Sequence, residues 1–76
     1  MIFDTIIEMK EGILRSVQKK LIADISNYDT NLEILLTKSV GIGEHSDITS
    51  EVEQWVKKIG EAKEAVSVID EKLNSE

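Results

Sequence analysis

The sequence predicts an all-α protein: an antiparallel helical hairpin with a long helix over about 3–40, a turn over 41–47 and a second helix over about 48–74. Three observations carry this. The second half holds an unbroken heptad seam, the first half repeats an apolar residue every seventh position, and the Gly-containing turn Gly41-Ile42-Gly43-Glu44-His45 lies between them. The whole of 1–76 reads as a single domain.

In the second half Ile48, Val52, Trp55, Ile59, Ala62, Val66, Ile69 and Leu73 alternate steps of four and three, the a/d spacing of a helix packed along a partner. The intervening residues are mostly Glu, Lys, Ser and Gln, and Glu53 precedes Lys57 by four, the favourable order for a helical ion pair. Ser46, Asp47, Thr49 and Ser50 all offer N-cap chemistry, and Ser50 with Glu53 fits a capping box, so the start falls within this cluster. Trp55, at a seam position, is expected to be a largely buried anchor.

The first half places Ile7, Leu14, Leu21, Tyr28 and Leu35 seven apart, with Phe3, Val17, Ile25 and Leu32 beside them. Ile6, Ile13, Ile22 and Leu36 widen that stripe beyond a two-stranded seam, as in a helix that touches more than one neighbour. Gly41 suits a left-handed C-cap, with Ile42 folding back as the apolar contact of a Schellman ending. The segment Asn27-Tyr28-Asp29-Thr30-Asn31 is rich in cap-forming residues, and Thr30 with Glu33 spells another capping box, so a break there would give three helices. The apolar register runs through it without a phase jump and the chain has no proline, which favours continuity.

Nine basic against fifteen acidic residues give a net charge of −6, which opposes binding to nucleic-acid phosphates. Residues 1–38 carry six acids and five bases; residues 39–76 carry nine acids and four bases, so the acidity is concentrated in the second half. Charges interrupt the apolar residues throughout, leaving no stretch fit to span a membrane, and Asp4, Glu8 and Glu11 sit where a secretory leader would be uncharged. The absence of cysteine closes the disulfide route to stability and fits a cytoplasmic location.

Residues with chemical potential are few. His45 is the lone histidine, flanked by Glu44 and Asp47, and with no thiolate available it cannot assemble a closed zinc site. The three are read as a turn contact surface at most, and neither a metal nor another cofactor is expected. Gly41-Ile42-Gly43 lacks the preceding strand and following Lys-Ser/Thr of a phosphate loop. Lys19-Lys20 and Lys57-Lys58 are too sparse for a nucleic-acid stripe. A hairpin of this size has little room for a catalytic pocket, so no catalytic residue is expected and the enzyme class is set aside.

The stretch Gly41-Ile42-Gly43-Glu44-His45-Ser46-Asp47-Ile48, followed by Glu61-Ala62-Lys63-Glu64, resembles a pattern in small helical proteins of large tailed marine bacteriophages. The resemblance implies a helical accessory protein made in a host cytoplasm and brings no activity with it.

A first helix of about 57 Å against a second of about 40 Å leaves an overhang of about 16 Å. Its sequence, Met1-Ile2-Phe3-Asp4-Thr5-Ile6-Ile7-Glu8-Met9, is among the most apolar in the chain. A small domain without disulfides commonly completes its core by oligomerising. The expectation is therefore a homo-oligomer, a dimer before any higher assembly, packed as a helix bundle through Ile2, Phe3, Ile6, Ile7, Ile13 and Leu14, parallel or antiparallel. Functionally this reads as a non-enzymatic interaction or assembly module, with another protein as the other conceivable partner and neither nucleic acid nor membrane. The rival reading is an acidic regulator or inhibitor that binds a basic surface of a host protein or mimics nucleic acid there, motivated by the acid excess of the second half.

Overall fold

A computed structural model describes residues 2–39 and 46–75 of the chain. Two helices, α1 (Ile2–Ser39) and α2 (Ser46–Asn74), run antiparallel as a hairpin of 65 × 16 × 13 Å. The predicted turn residues Gly41 to His45 lie outside the described residues, as do the expected Gly41 cap and Ile42 contact.

α1 runs unbroken through Asn27 to Asn31. Thr30 has the residue type of a cap but does not act as one: its hydroxyl donates to the Ser26 carbonyl at 2.9 Å, one turn back in the same helix. Ser16 to Gly12, Thr37 to Glu33 and Ser67 to Lys63 use the same internal bond, at 2.9, 2.8 and 3.3 Å. These four hydroxyls are thus satisfied inside their own helices. Asp4 and Asp47 sit in the first turns and Lys38 and Lys72 in the last, the arrangement that complements the helix dipoles.

α2 begins at Ser46, ahead of the expected start near 48, so the Ser50/Glu53 capping box falls inside the helix. Glu53 turns forward, and its carboxylate pairs with the Lys57 ammonium at 3.1 Å, as their spacing predicts. Both groups are well exposed, and such a pair is worth a few tenths of a kcal/mol.

The seam between the helices is the alternating three-four set of each. On α1 the partly buried positions are Glu11, Leu14, Gln18, Leu21, Ile25, Tyr28, Leu32 and Leu35, joined by Asp24 at the edge. They face Ile48, Val52, Trp55, Ile59, Ala62, Val66, Ile69 and Leu73, the heptad set read from the sequence. Two polar residues, Glu11 and Gln18, occupy seam positions, whereas Val17 and Phe3 do not; they stand exposed. Gln18 Nε2 donates to Asp70 Oδ1 at 2.8 Å and ties the helices together.

Among the described residues only Ala62 and Ile69 count as buried, at 7% and 6% exposure. This is a geometric consequence of a single pair of helices, since every seam side chain lies within one residue's width of water on either flank. Trp55 shows the effect. Expected to be largely buried, it is only half-buried: its ring lies 5.8 Å from that of Tyr28, tilted by 45°, and the Lys58 ammonium caps it at 4.8 Å. The same ammonium is 5.8 Å from the Tyr28 ring. Lys58→Ala is expected to cost about 0.5–1 kcal/mol and to increase the accessibility of Trp55, the sole tryptophan, to an iodide quencher. Unchanged quenching would show that Lys58 does not shield the indole.

Gly12 and Gly60 lie inside the helices, and a Cβ added at either would meet nothing within 4 Å. Neither has a positive φ. Alanine at both positions is expected to stabilise the fold by roughly 1–2 kcal/mol in total, mainly by narrowing the unfolded ensemble. Thermal denaturation of the double variant measures this; a lowered midpoint would mean that one of the glycines admits a close neighbour.

Candidate functional site

The site-forming feature is an apolar surface at the open end of the hairpin, where α1 starts and α2 finishes. α1 has 38 residues and α2 has 29, a difference of nine residues, or about 14 Å of helix, close to the overhang expected from the sequence. The end of α2 reaches the level of Ile7 to Leu14, where Lys72, Leu73 and Ser75 share a groove with Ile7, Lys10, Glu11, Ile13 and Leu14. Ile7 and Leu14 therefore have an intrachain neighbour, and only the first residues of α1 extend past α2.

Of the residues expected to form an interface, Ile2 and Phe3 are 77% and 79% exposed, Ile13 is 63% exposed, and Ile6 and Ile7 are each a little over 40% exposed. Leu14 differs: it is half-buried in the hairpin seam. Met9 and Val17 join the exposed set on α1, and Val68 joins it on α2.

Heptad geometry sorts these side chains onto one flank. Counting the seam as a and d, Phe3, Lys10, Val17, Asp24, Asn31 and Lys38 occupy the g positions of α1, Ile6, Ile13, Lys20, Asn27 and Ile34 the adjacent c positions, and Ile2 and Met9 the f positions next to those. The grooves between the helices open on this same side. One is lined by Ile13 and Lys10 with Lys72 and Ser75, another by Asp24 with Lys58, Glu61 and Ala65, and a third by Ile34 and Lys38 with Glu51, Gln54 and Lys58. The open-end groove encloses about 450 Å³ and has Ile7, Ile13, Leu14 and Leu73 as apolar walls. Toward the closed end the flank becomes polar.

Ile22 and Leu36, read from the sequence as part of the same widened stripe, fall at e positions on the opposite flank, as Val56 does on α2. The sequence period alone merged the two flanks because both lie next to the seam. Their separation leaves one extended apolar surface, from Ile2 to Val17, and one smaller one.

The expected turn contact is only partly placed: Asp47 is exposed in the first turn of α2, and Glu44 and His45 lie outside the described residues. Among the described residues no three His, Cys, Asp or Glu side chains converge as metal ligands, and no helix is long and apolar enough to cross a membrane. Comparison with known proteins returned no matching family model, no similar curated protein and no similar solved structure. The phage-protein resemblance is carried mainly by the undescribed turn and supports nothing about this surface.

Proposed function

We propose that the protein is a non-enzymatic assembly module that self-associates as a homodimer through the apolar face of α1. The observation that carries this reading is an excess of exposed surface. The chain exposes 6037 Å². A compact monomer of its 8.5 kDa mass would expose about 4,650 Å² by the scaling of accessible area with mass. The excess, about 1,400 Å², is larger than the roughly 800 Å² per partner of a standard protein interface and falls in the range of obligate dimers. With only Ala62 and Ile69 buried among the described residues, the hairpin also lacks the core that a chain of this length needs to stand alone.

Ile2, Phe3, Ile6, Met9, Ile13 and Val17 would supply the apolar part of the contact, with Lys10 set among them and Lys72 at its edge. Two chains of net charge −6 repel each other, and apolar contact must overcome that repulsion. Added salt screens the repulsion, so the dimer is expected to tighten between 50 and 500 mM NaCl, as measured by sedimentation equilibrium. Association that weakened steeply with salt would point instead to ionic contacts, as in the rival reading of an acidic regulator on a basic surface.

A further inference from the structure

We propose that two copies join open end to open end about a twofold axis near Met9 and Lys10, so that the assembly is a rod with its two closed ends facing outward. This deepens the self-association reading above and rests on it. The occupant of the surface is a second copy, argued from the excess area and from the register of the stripe itself.

The stripe is self-complementary. A twofold contact requires that residues at equal distances on either side of the axis face each other across it. With antiparallel α1 helices centred at Met9–Lys10, Phe3 meets the partner's Val17 and Ile6 meets the partner's Ile13. These four positions are apolar and exposed in the single chain, while Lys10, on the same row as Phe3 and Val17, stands beside the axis, where its stem can cover apolar surface as its ammonium reaches solvent. A full-length antiparallel pairing, centred near Lys20, would instead set Lys20, Asp24, Asn27 and Asn31 into the middle of the contact, with apolar pairing only at its ends, where Ile6 faces the partner's Ile34. A parallel pairing would align Lys20 and Asp24 as well as Lys10 with their own copies, three like-charge pairs where the open-end pairing has one.

α2 supports the same end. On the groove side its c and g positions are apolar only toward its finish, at Ala65 and Val68; nearer its start they are Glu51, Gln54, Lys58 and Glu61. The apolar parts of both helices thus coincide at the open end and flank a groove between Ile7, Leu14 and Leu73 into which a partner's helix can settle. Lys10 and Lys72 border the groove and can extend their ammonium groups to solvent while their methylene stems cover apolar surface.

The arrangement has a shape. Two hairpins of 65 Å that overlap over Ile2 to Val17, about 24 Å of helix, give a rod of about 105 Å. Each closed end, with its Tyr28–Trp55–Lys58 cluster and acidic α2 start, then points away from the other. The dimer is in effect a spacer with two identical ends.

The chain has no cysteine, so single-cysteine variants can be spin-labelled cleanly. Glu8 and Glu33 are exposed and lie away from the proposed contact. Double electron–electron resonance on the dimer-sized fraction of Glu8→Cys is expected to give a distance within about 30 Å, and Glu33→Cys about 70 Å, from the 1.5 Å rise per residue on either side of the axis. A dimer whose Glu33 labels sit at about 45 Å, with Glu8 labels beyond about 40 Å, has the full-length antiparallel pairing and overturns the open-end geometry while leaving self-association intact. Short distances at both sites mean a parallel pairing and overturn it likewise. A chain that is monomeric throughout, with unaltered circular dichroism and no dipolar coupling at either site, overturns both the geometry and the self-association reading.

Discussion

Replacing Ile6 and Ile13 together by aspartate is expected to dissolve self-association while sparing the hairpin seam. Both side chains stand on the exposed flank, outside the α1–α2 seam, and only Ile13 also borders the open-end groove, so their loss removes little packing within one chain. In a twofold contact the double substitution removes four isoleucines and introduces four carboxylates. Each isoleucine is already partly covered by its own chain, so the remaining burial is worth roughly 1 kcal/mol per side chain, or about 4 kcal/mol in all. That is about a thousandfold in the dissociation constant before the repulsion of the added carboxylates is counted. Sedimentation velocity at micromolar protein would show the shift from dimer to monomer. A variant that retained the wild-type sedimentation coefficient would place the contact elsewhere. Ile6→Asp alone makes the more selective test, because Ile7 and Ile13 both line the groove against the end of α2.

The second large effect lies in the seam. Ile69→Ala is expected to lower stability by about 2–3 kcal/mol, because Ile69 is, with Ala62, the most buried side chain among the described residues and truncation leaves a void that a single helix pair can only partly close. For a domain of this size that corresponds to a fall of roughly 10–20 °C in the thermal midpoint. Val68→Ala is its internal control. Val68 neighbours Ile69 in sequence but faces outward at 52% exposure, so within a single chain its truncation should cost only a few tenths of a kcal/mol. Equal losses at the two positions would mean that the seam does not carry the fold in the way its burial suggests.

Most of the architecture was legible because an apolar residue every three or four positions is what a helix needs to bury one face. The α2 seam from Ile48 to Leu73 follows directly from that spacing, as do Leu14, Leu21, Tyr28 and Leu35 of α1. The continuity of α1 was legible from the unbroken register and the lack of proline, and the Thr30–Ser26 bond supplies the detail the sequence left open. Polar seam residues were not legible. Glu11 and Gln18 are invisible to an apolar period, and Val17, one residue before Gln18, took its place in that reading. The heptad position of a residue relative to the observed seam, not its hydrophobicity, decides which flank it faces. That is why Ile13 and Ile22 could not be told apart from their type. Trp55 was misjudged for another reason: a large aromatic residue at a seam position is enclosed only where a third layer covers it, and two helices have none.

The interaction surface itself was legible as composition, in the apolar run from Ile2 to Met9, but not as shape. The reach of α2 to the level of Ile7, the groove beside Leu73 and the exposed Val68 are properties of the folded pair. Together they convert an overhang into a broader surface on two helices. A single-helix overhang would bind a partner as a hook; a two-helix surface binds as half of a bundle.

The measurement that tests self-association most directly is the solution mass of the unmodified chain, by light scattering coupled to size exclusion over a hundredfold range of concentration. The expected result is twice the 8.5 kDa chain mass at the upper concentrations, with a thermal midpoint that rises with protein concentration as coupled folding and assembly require. A well-folded 8.5 kDa species at every concentration, with a midpoint independent of concentration, would contradict it.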